Sequence, residues 1–273
     1  MKFTTTLLTA AYLVQGLLAV PNGGLGERIK ARALQRQSHP MTGLGKDETK
    51  DVDAEHRVNA EVVYSTNWSG AVREQPPPDG NYTSVTASFT VPEPRPAGDA
   101  GTQAASAWVG IDGDTYTAAI LQAGVDFYWE NGQVSYAAWY EWFPDFAHDF
   151  SFTVNAGDNI TVTVESYSPS NGVAVIQNQS TGQQVKQNIA APNAEATLAG
   201  QNAEWIVEDF QSGDSMIPLV NFGNVTFTGM KAKAGSSTYG VDGATLIEMQ
   251  QNGTVLTKVQ TNGNSAMTVQ YIG

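Results

Sequence analysis

An all-β sandwich is the fold class this sequence predicts, on three observations. Apolar residues alternate with polar ones at the two-residue period of half-buried strands. Four Asn-Gly pairs punctuate such runs after residue 60. No long stretch carries the apolar stripe of an amphipathic helix. Between residues 82 and 92, Val85, Ala87, Phe89 and Val91 share one face, and Thr86, Ser88 and Thr90 the other. Ile160, Val162 and Val164 alternate in the same way with Thr161, Thr163 and Glu165. Asn131-Gly132, Asn171-Gly172, Asn252-Gly253 and Asn262-Gly263 read as hairpin turns, because Asn and Gly tolerate the positive φ of tight primed turns. Many antiparallel strands joined this way predict a β-sandwich.

Charge divides the 273-residue chain. Eight of the 14 Lys and Arg lie in residues 1–57, which net +2, whereas the following 216 residues net −15. The break sets a boundary near residues 58–60. Ahead of it, Lys2 precedes an apolar run from Leu7 to Ala19, shorter than the roughly 20 residues needed to span a bilayer. A positive start, a short apolar centre and small residues at its end read as a secretory signal peptide over 1–19. Residues 20–59 read as a basic pro-segment removed on maturation, and 60–273 as the β-sandwich domain. A secreted, extracellular chain without a membrane partner is expected. Six Asn-X-Ser/Thr sequons (Asn67, Asn81, Asn159, Asn178, Asn224, Asn252) fit secretion, although Asn67 sits in an aromatic segment and is not expected to be glycosylated.

Composition excludes several chemistries. Cysteine is absent, which removes thiol nucleophiles, disulfides and thiolate metal sites. Three histidines argue against a multi-histidine zinc site or a haem pocket. A net charge of −13 opposes nucleic-acid binding, which needs a basic surface. A Ser-His-Asp triad would need His148, which reads as an exposed loop histidine, and no GxSxG stands beside it. Neither Asp-Thr-Gly nor Asp-Ser-Gly occurs, so an aspartic dyad lacks its motif. Asp112-Gly113-Asp114 lacks the remaining ligands of a calcium loop and reads as a tight turn. No cofactor and no metal are expected.

Carboxylate and amide chemistry is left. In NAEWIVEDF, alternation places Glu204, Ile206, Glu208 and Phe210 on one face. An acid between Ile206 and Phe210 is desolvated, which raises its pKa and suits it to proton transfer. In ILQAG, Gln122 shares a face with Ile120, where its amide either finds hydrogen-bond partners or aims an N–H at a developing oxyanion. In AAWYEWFPD, Glu141 stands among Trp139, Tyr140, Trp142 and Phe143. Taken singly, each is more readily a satisfied structural group than a catalytic one.

Five segments together carry more: NWSGAV (67–72), AWVGIDGD (107–114), ILQAG (120–124), WYEWFP (139–144) and AEWIVEDF (203–210). In this order they resemble the glutamic peptidases, or eqolisins, over essentially the whole chain from residue 61. The resemblance implies a secreted, pepstatin-insensitive acid endopeptidase of fungal type acting on proteins or peptides. It implies a curved, concanavalin-like antiparallel sandwich with a concave substrate groove, and a zymogen. Gln122 and Glu208 take the places of the family's catalytic pair. Trp68, Trp108, Asp112 and Glu141 take groove positions. Ala137 stands where an aspartate is expected ahead of the WYEW element, and the absence of disulfides is a second departure. The basic segment beside a −15 domain is expected to act as an intramolecular inhibitor that docks at neutral pH and leaves on acidification. A monomer is expected. Two other readings remain open at this point: a glycoside hydrolase using Glu141 and Glu208, and a lectin-like binding module.

Overall fold

The structure, a computed structural model, describes residues 35–44 and 62–273. The expected signal peptide lies outside the described residues, as does all of the expected pro-segment except 35–44. Two large sheets form a sandwich. One has nine strands, running in the order Thr254–Val255, Thr245–Gln251, Trp68–Arg73, Ala203–Glu208, Thr102–Ile111, Ile120–Glu130, Gln133–Phe143 and His148–Asp149, with Val62–Ser65 added beside Thr245–Gln251. The eight-stranded sheet behind it runs Gln183–Ala190, Asn171–Asn178, Asn159–Ser168, Tyr82–Thr90, Asn224–Ala234, Ala266–Tyr271 and Thr257–Thr261, with Ser237–Tyr239 against Asn224–Ala234. All pairings in the two sheets are antiparallel except Val62–Ser65 with Thr245–Gln251, which is parallel. A small third sheet joins Arg36–Gln37 to Gln211–Ser212 and Ser215–Met216.

Alternation decides which side chains meet between the sheets. Val85, Ala87 and Phe89 from one side, and Ile160, Val162 and Val164 beside them, are buried against Ala107, Val109, Ala123, Val125, Trp205 and Val207 of the nine-stranded sheet. The opposite face of that sheet is also apolar: Trp68, Val72, Trp108, Ile120, Trp139, Ile206 and Ile247 form a second buried cluster. Residues on both faces of Ala203–Glu208 are therefore buried, and its six positions show no exposed one.

Three of the four Asn-Gly pairs make turns as expected. Asn131 and Gly132 have φ of 52° and 83° and close a two-residue hairpin, and Asn252 and Gly253 do the same at 52° and 76°. Asn262-Gly263 lies in the longer connection between Thr261 and Ala266. Asn171-Gly172 does not make the turn: Pro169 and Ser170 do, and Asn171 already faces Ser168 in the ladder. Pro169 has no N–H to give a ladder, so the turn falls there. Gly172 is needed for a close approach instead, since a Cβ at that position would stand 2.6 Å from Leu121 Cδ2.

Register aligns three rows across the outer face of the nine-stranded sheet. Glu204, Gly110, Gln122 and Glu141 form one row. Ile206, Trp108, Gly124 and Trp139 form the next, and Glu208, Ser106, Asp126 and Ala137 the third. The glycines make room for Trp108. A Cβ on Gly124 would stand 2.5 Å from Trp108 Cβ and 2.3 Å from Ala107 O, and one on Gly110 would stand 2.8 Å from Trp108 Cζ3. Gly124→Ala is therefore expected to destabilise the domain by about 1–3 kcal/mol through overpacking. Urea unfolding reads this directly, and an unchanged midpoint would contradict the packing described.

Candidate active site

Strand alternation brings five of the six expected site residues to one face. Trp68, Trp108, Gln122, Glu141 and Glu208 are all fully buried on the outer side of the nine-stranded sheet. The Trp108 and Trp68 rings meet edge to face at 5.0 Å. The Trp108 indole N–H donates to Glu208 Oε2 at 2.9 Å, while its six-membered ring lies over Gly110. Gln122 sits beside Gly110 in the next strand, two strands and four residues away from Glu208, with Trp108 in the row between them. Neither the oxygen nor the nitrogen of the Gln122 amide has a hydrogen-bond partner among the described residues. A buried amide in that condition is a donor and acceptor held ready for a ligand.

Asp112 is placed differently. It ends the strand Thr102–Ile111 at φ 67°, and its carboxylate accepts the backbone N–H groups of Ala199, Gly200, Gln201 and Asn202 at 2.7–3.1 Å. Both oxygens are thus engaged in clamping the 199–202 loop. The Asp112-Gly113-Asp114 segment is a bend, with Asp112 and Gly113 both at positive φ (67° and 127°). His148 is exposed, beside Asp145 and stacked on Tyr140. Asn67 is buried, with its side-chain nitrogen donating to the His39 and Pro40 carbonyls, so that nitrogen is not open to a glycan.

Residues 35–44 cross this face. Arg36 and Ser38 point into it, as neighbours but one on an extended chain must, and Gln37 points away to the Pro144 and Asp145 carbonyls. The Arg36 guanidinium donates to Asp126 from Nε at 3.1 Å and Nη2 at 3.2 Å, and to Glu141 Oε2 from Nη1 at 2.8 Å. It lies 3.5 Å above the Trp139 ring and 4.7 Å from Phe210. Ser38 Oγ accepts from Arg36 Nη1 at 2.8 Å and donates to Glu208 Oε2 at 2.6 Å. The Ser38 N–H meets Glu141, and the His39 N–H meets Glu208 Oε1 at 3.1 Å. Further along, Thr42 N–H donates to Asn67 Oδ1 and Leu44 N–H to the Tyr64 carbonyl.

Burial controls the titration of these acids. It pushes Glu208 up to about 7, against the opposing pull of Arg36 and of hydrogen bonds from Ser38, His39 and Trp108. Glu141 is also held well above the usual carboxylate range by burial, although Arg36 pulls it down. Asp209, next in sequence to Glu208, is pushed up to about 8 by burial, and Asp114 to about 6. Glu204 is raised by burial and then by Asp112 and Asp114, and neither of its oxygens has a partner among the described residues.

A buried acid on an indole N–H, a buried free amide on the same face and an extended peptide against the acid are the parts of a peptide-binding groove. The family model described as the Peptidase A4 family matches residues 66–271. The chain belongs to the Peptidase A4 family. It is 45% identical over 296 residues to Aspergillopepsin-2 of Aspergillus niger, covering 100% of each chain. It is 32% identical over 273 residues to Scytalidopepsin B of Scytalidium lignicola, covering 97% of this chain and 98% of that one. Among solved structures it resembles a scytalido-glutamic peptidase bound to a transition state analog inhibitor, with a TM-score of 0.68 and 32% identity over 76% of this chain and 98% of that one. The protein is thus a glutamic-type acid endopeptidase of the eqolisin family. The glycosidase and lectin-like readings fall with that finding.

Sequence reading missed Asp126, Ser106 and the two segment residues Arg36 and Ser38. A signal for Asp126 was present: it follows Gln122 by four positions on the same strand face, a lone acid in an apolar run. It stands directly across from Ala137, the position where the resemblance led to an aspartate being expected.

The raised acids fix the direction of pH dependence. A carboxyl whose folded pKa exceeds its unfolded value, near 4, stabilises the fold below about pH 4 and loses that contribution as pH rises through the folded value. With Asp114, Glu208 and Asp209 at about 6, 7 and 8, the loss spreads over the interval from about pH 4 to about pH 8. Thermal melts of the Gln122→Ala chain, which keeps every carboxyl group, are expected to show Tm falling by more than about 5 °C across that interval. A Tm that rises with pH would contradict the burial of these groups.

Proposed function

We propose that Glu208 and Gln122 are the catalytic pair of this endopeptidase and that residues 35–44 hold it inactive until acidification. The observation that carries the reading is Glu208 itself: fully buried, oriented by Trp108, and meeting a peptide nitrogen and a side-chain hydroxyl at its two oxygens. Ionised Glu208 takes a proton from a water on the side towards Gln122, and the resulting hydroxide attacks the scissile carbonyl carbon. Gln122 Nε2–H donates to the oxyanion as the carbonyl π pair moves onto oxygen. The protonated Glu208 then gives its proton to the leaving amine as the C–N bond breaks and the carbonyl reforms. Trp108 keeps the carboxylate aimed throughout. Water entering the groove when the segment leaves relieves the burial that now holds Glu208 up, and this returns it to the ionised form in acid.

The segment fits an inhibitor. Ser38 Oγ occupies one Glu208 oxygen and the His39 N–H the other. Arg36 faces Asp126, Glu141 and Glu208, so the docked state draws on their negative charge. Release on acidification is assigned to the loss of negative charge across the −15 domain that the basic segment faces, while Glu208 and Glu141, held up by burial beneath the segment, oppose release rather than drive it. Secretion, removal of residues up to about 59 and a monomeric mature enzyme complete the proposal, on the N-terminal pattern of residues 1–19 and the charge break that follows.

Hydrolysis of a denatured protein between about pH 2 and pH 5, with pepstatin present, tests the pair. The wild-type chain is expected to cleave. Gln122→Ala is expected to lose about 10²–10³-fold in kcat through its oxyanion donor, and Glu208→Gln more. Near-normal turnover by Glu208→Gln would overturn the assignment.

A further inference from the structure

A side-chain amide has two orientations of nearly the same shape. With Nε2–H towards the reacting carbonyl, Gln122 can donate to the oxyanion; turned over, it presents Oε1, whose lone pairs repel that charge. None of the described residues hydrogen-bonds either atom and so sets the choice directly. Glu204 stands in the same row, on the far side of Gly110: Glu204, Gly110 and Gln122 face one another across three strands. Gly110 has no side chain to fill the interval. A Cβ there would stand 3.2 Å from Glu204 Oε2 and 2.8 Å from Trp108 Cζ3, so the Glu204 carboxyl reaches in over the Gly110 backbone beside the edge of the Trp108 ring. Glu204 and Gln122 are both fully buried, and all four of their terminal oxygen and nitrogen atoms lack partners among the described residues. Positions two strands apart are separated by about 10 Å at Cα, a span that two side chains of this length close to within about one water molecule. Burial, and after it Asp112 and Asp114, hold Glu204 well above the usual carboxylate range, so in acid it is a neutral carboxyl with an O–H to donate.

We infer that Glu204 is a positioning residue for Gln122: its carboxyl O–H, relayed by one water over Gly110, is donated to Gln122 Oε1 and so turns Nε2–H towards the oxyanion. The inference rests on the catalytic reading of Gln122. Two buried polar side chains that face each other across a glycine, each without another partner among the described residues, satisfy one another at least cost. Asp112, the neighbouring acid, does not compete for the water, because both its oxygens are taken by the 199–202 backbone. Glu204 itself touches neither the substrate nor the attacking water. Its effect is to hold the amide in the one orientation that stabilises the transition state, so its loss falls on kcat rather than on KM.

The test is a double-mutant cycle on the acid-activated enzyme at about pH 4, with kcat, KM and Tm measured for each variant. Glu204→Met, which keeps the length of the side chain and removes its hydrogen bonds, is expected to lower kcat about tenfold or more, with KM within about twofold and Tm not reduced. Glu204→Gln, whose amide can donate in place of the carboxyl, is expected to keep kcat within about threefold of wild type. In the Gln122→Ala background, Glu204→Met is expected to cost nothing further, a coupling that a merely structural role would not produce. Wild-type kcat in Glu204→Met would overturn the inference and leave the catalytic pair standing. Loss in Glu204→Gln as large as in Glu204→Met would overturn it, as would the same fold-loss from Glu204→Met with and without Gln122. Full activity of Gln122→Ala would overturn the catalytic reading and the inference with it.

Discussion

Four carboxyl groups, those of Glu204, Glu208, Glu141 and Asp126, are buried on a single apolar sheet face, and only one cation among the described residues reaches them. A carboxylate removed from water is costly unless it is neutralised, hydrogen-bonded or paired. Each of the four meets that requirement in its own way. Asp126 is paired with Arg36. Glu141 shares the same guanidinium and takes the Ser38 N–H. Glu208 is held by Trp108, Ser38 and His39, and Glu204, without an oppositely charged partner among the described residues, is pushed towards its neutral form by burial. Arg36 is thus the balance for a field of negative charge that the sandwich creates when it buries both faces of its central strands.

That double burial follows from where the acids sit. The strands Ala203–Glu208, Thr102–Ile111 and Ile120–Glu130 contribute alternate residues to the sandwich core and to the second aromatic cluster. Gly110 and Gly124 leave space over which Trp108 lies flat enough to reach Glu208 with its indole nitrogen. The stability of the sheet and the aim of the acid are therefore set by the same glycines. A chain with few bases also loses few ion pairs in acid, and protonation of its buried acids works for the fold rather than against it.

Much of this was readable from residue order. Glu204, Glu208 and Gln122 were placed by two-residue alternation, because each lies in a strand whose neighbours are apolar enough to fix its face. The Asn131-Gly132 and Asn252-Gly253 turns followed from their φ requirements. Asn171-Gly172 did not, because Pro169 two residues earlier takes the turn and Gly172 serves a packing contact that no local pattern encodes. Asp112 was given a groove position by the resemblance, yet its oxygens serve backbone amides some 90 residues away. Arg36 was visible only as part of a basic stretch. Its partners Asp126 and Glu141 lie 90 and 105 residues on, and nothing short of the folded register brings them to it.

The central claim is that the negative charge of the domain facing the basic segment decides whether residues 35–44 stay in the groove. Hydrogen exchange of the Ser38 and His39 amides measures it most directly, in the full-length Gln122→Ala chain, which keeps the acid cluster and is expected not to cleave itself. Protection factors, corrected for the intrinsic pH dependence of exchange, are predicted to be high at about pH 7 and to collapse at about pH 4, while the amides of the strand Ala203–Glu208 stay protected at both. Equal protection of Ser38 and His39 at the two pH values would contradict the account.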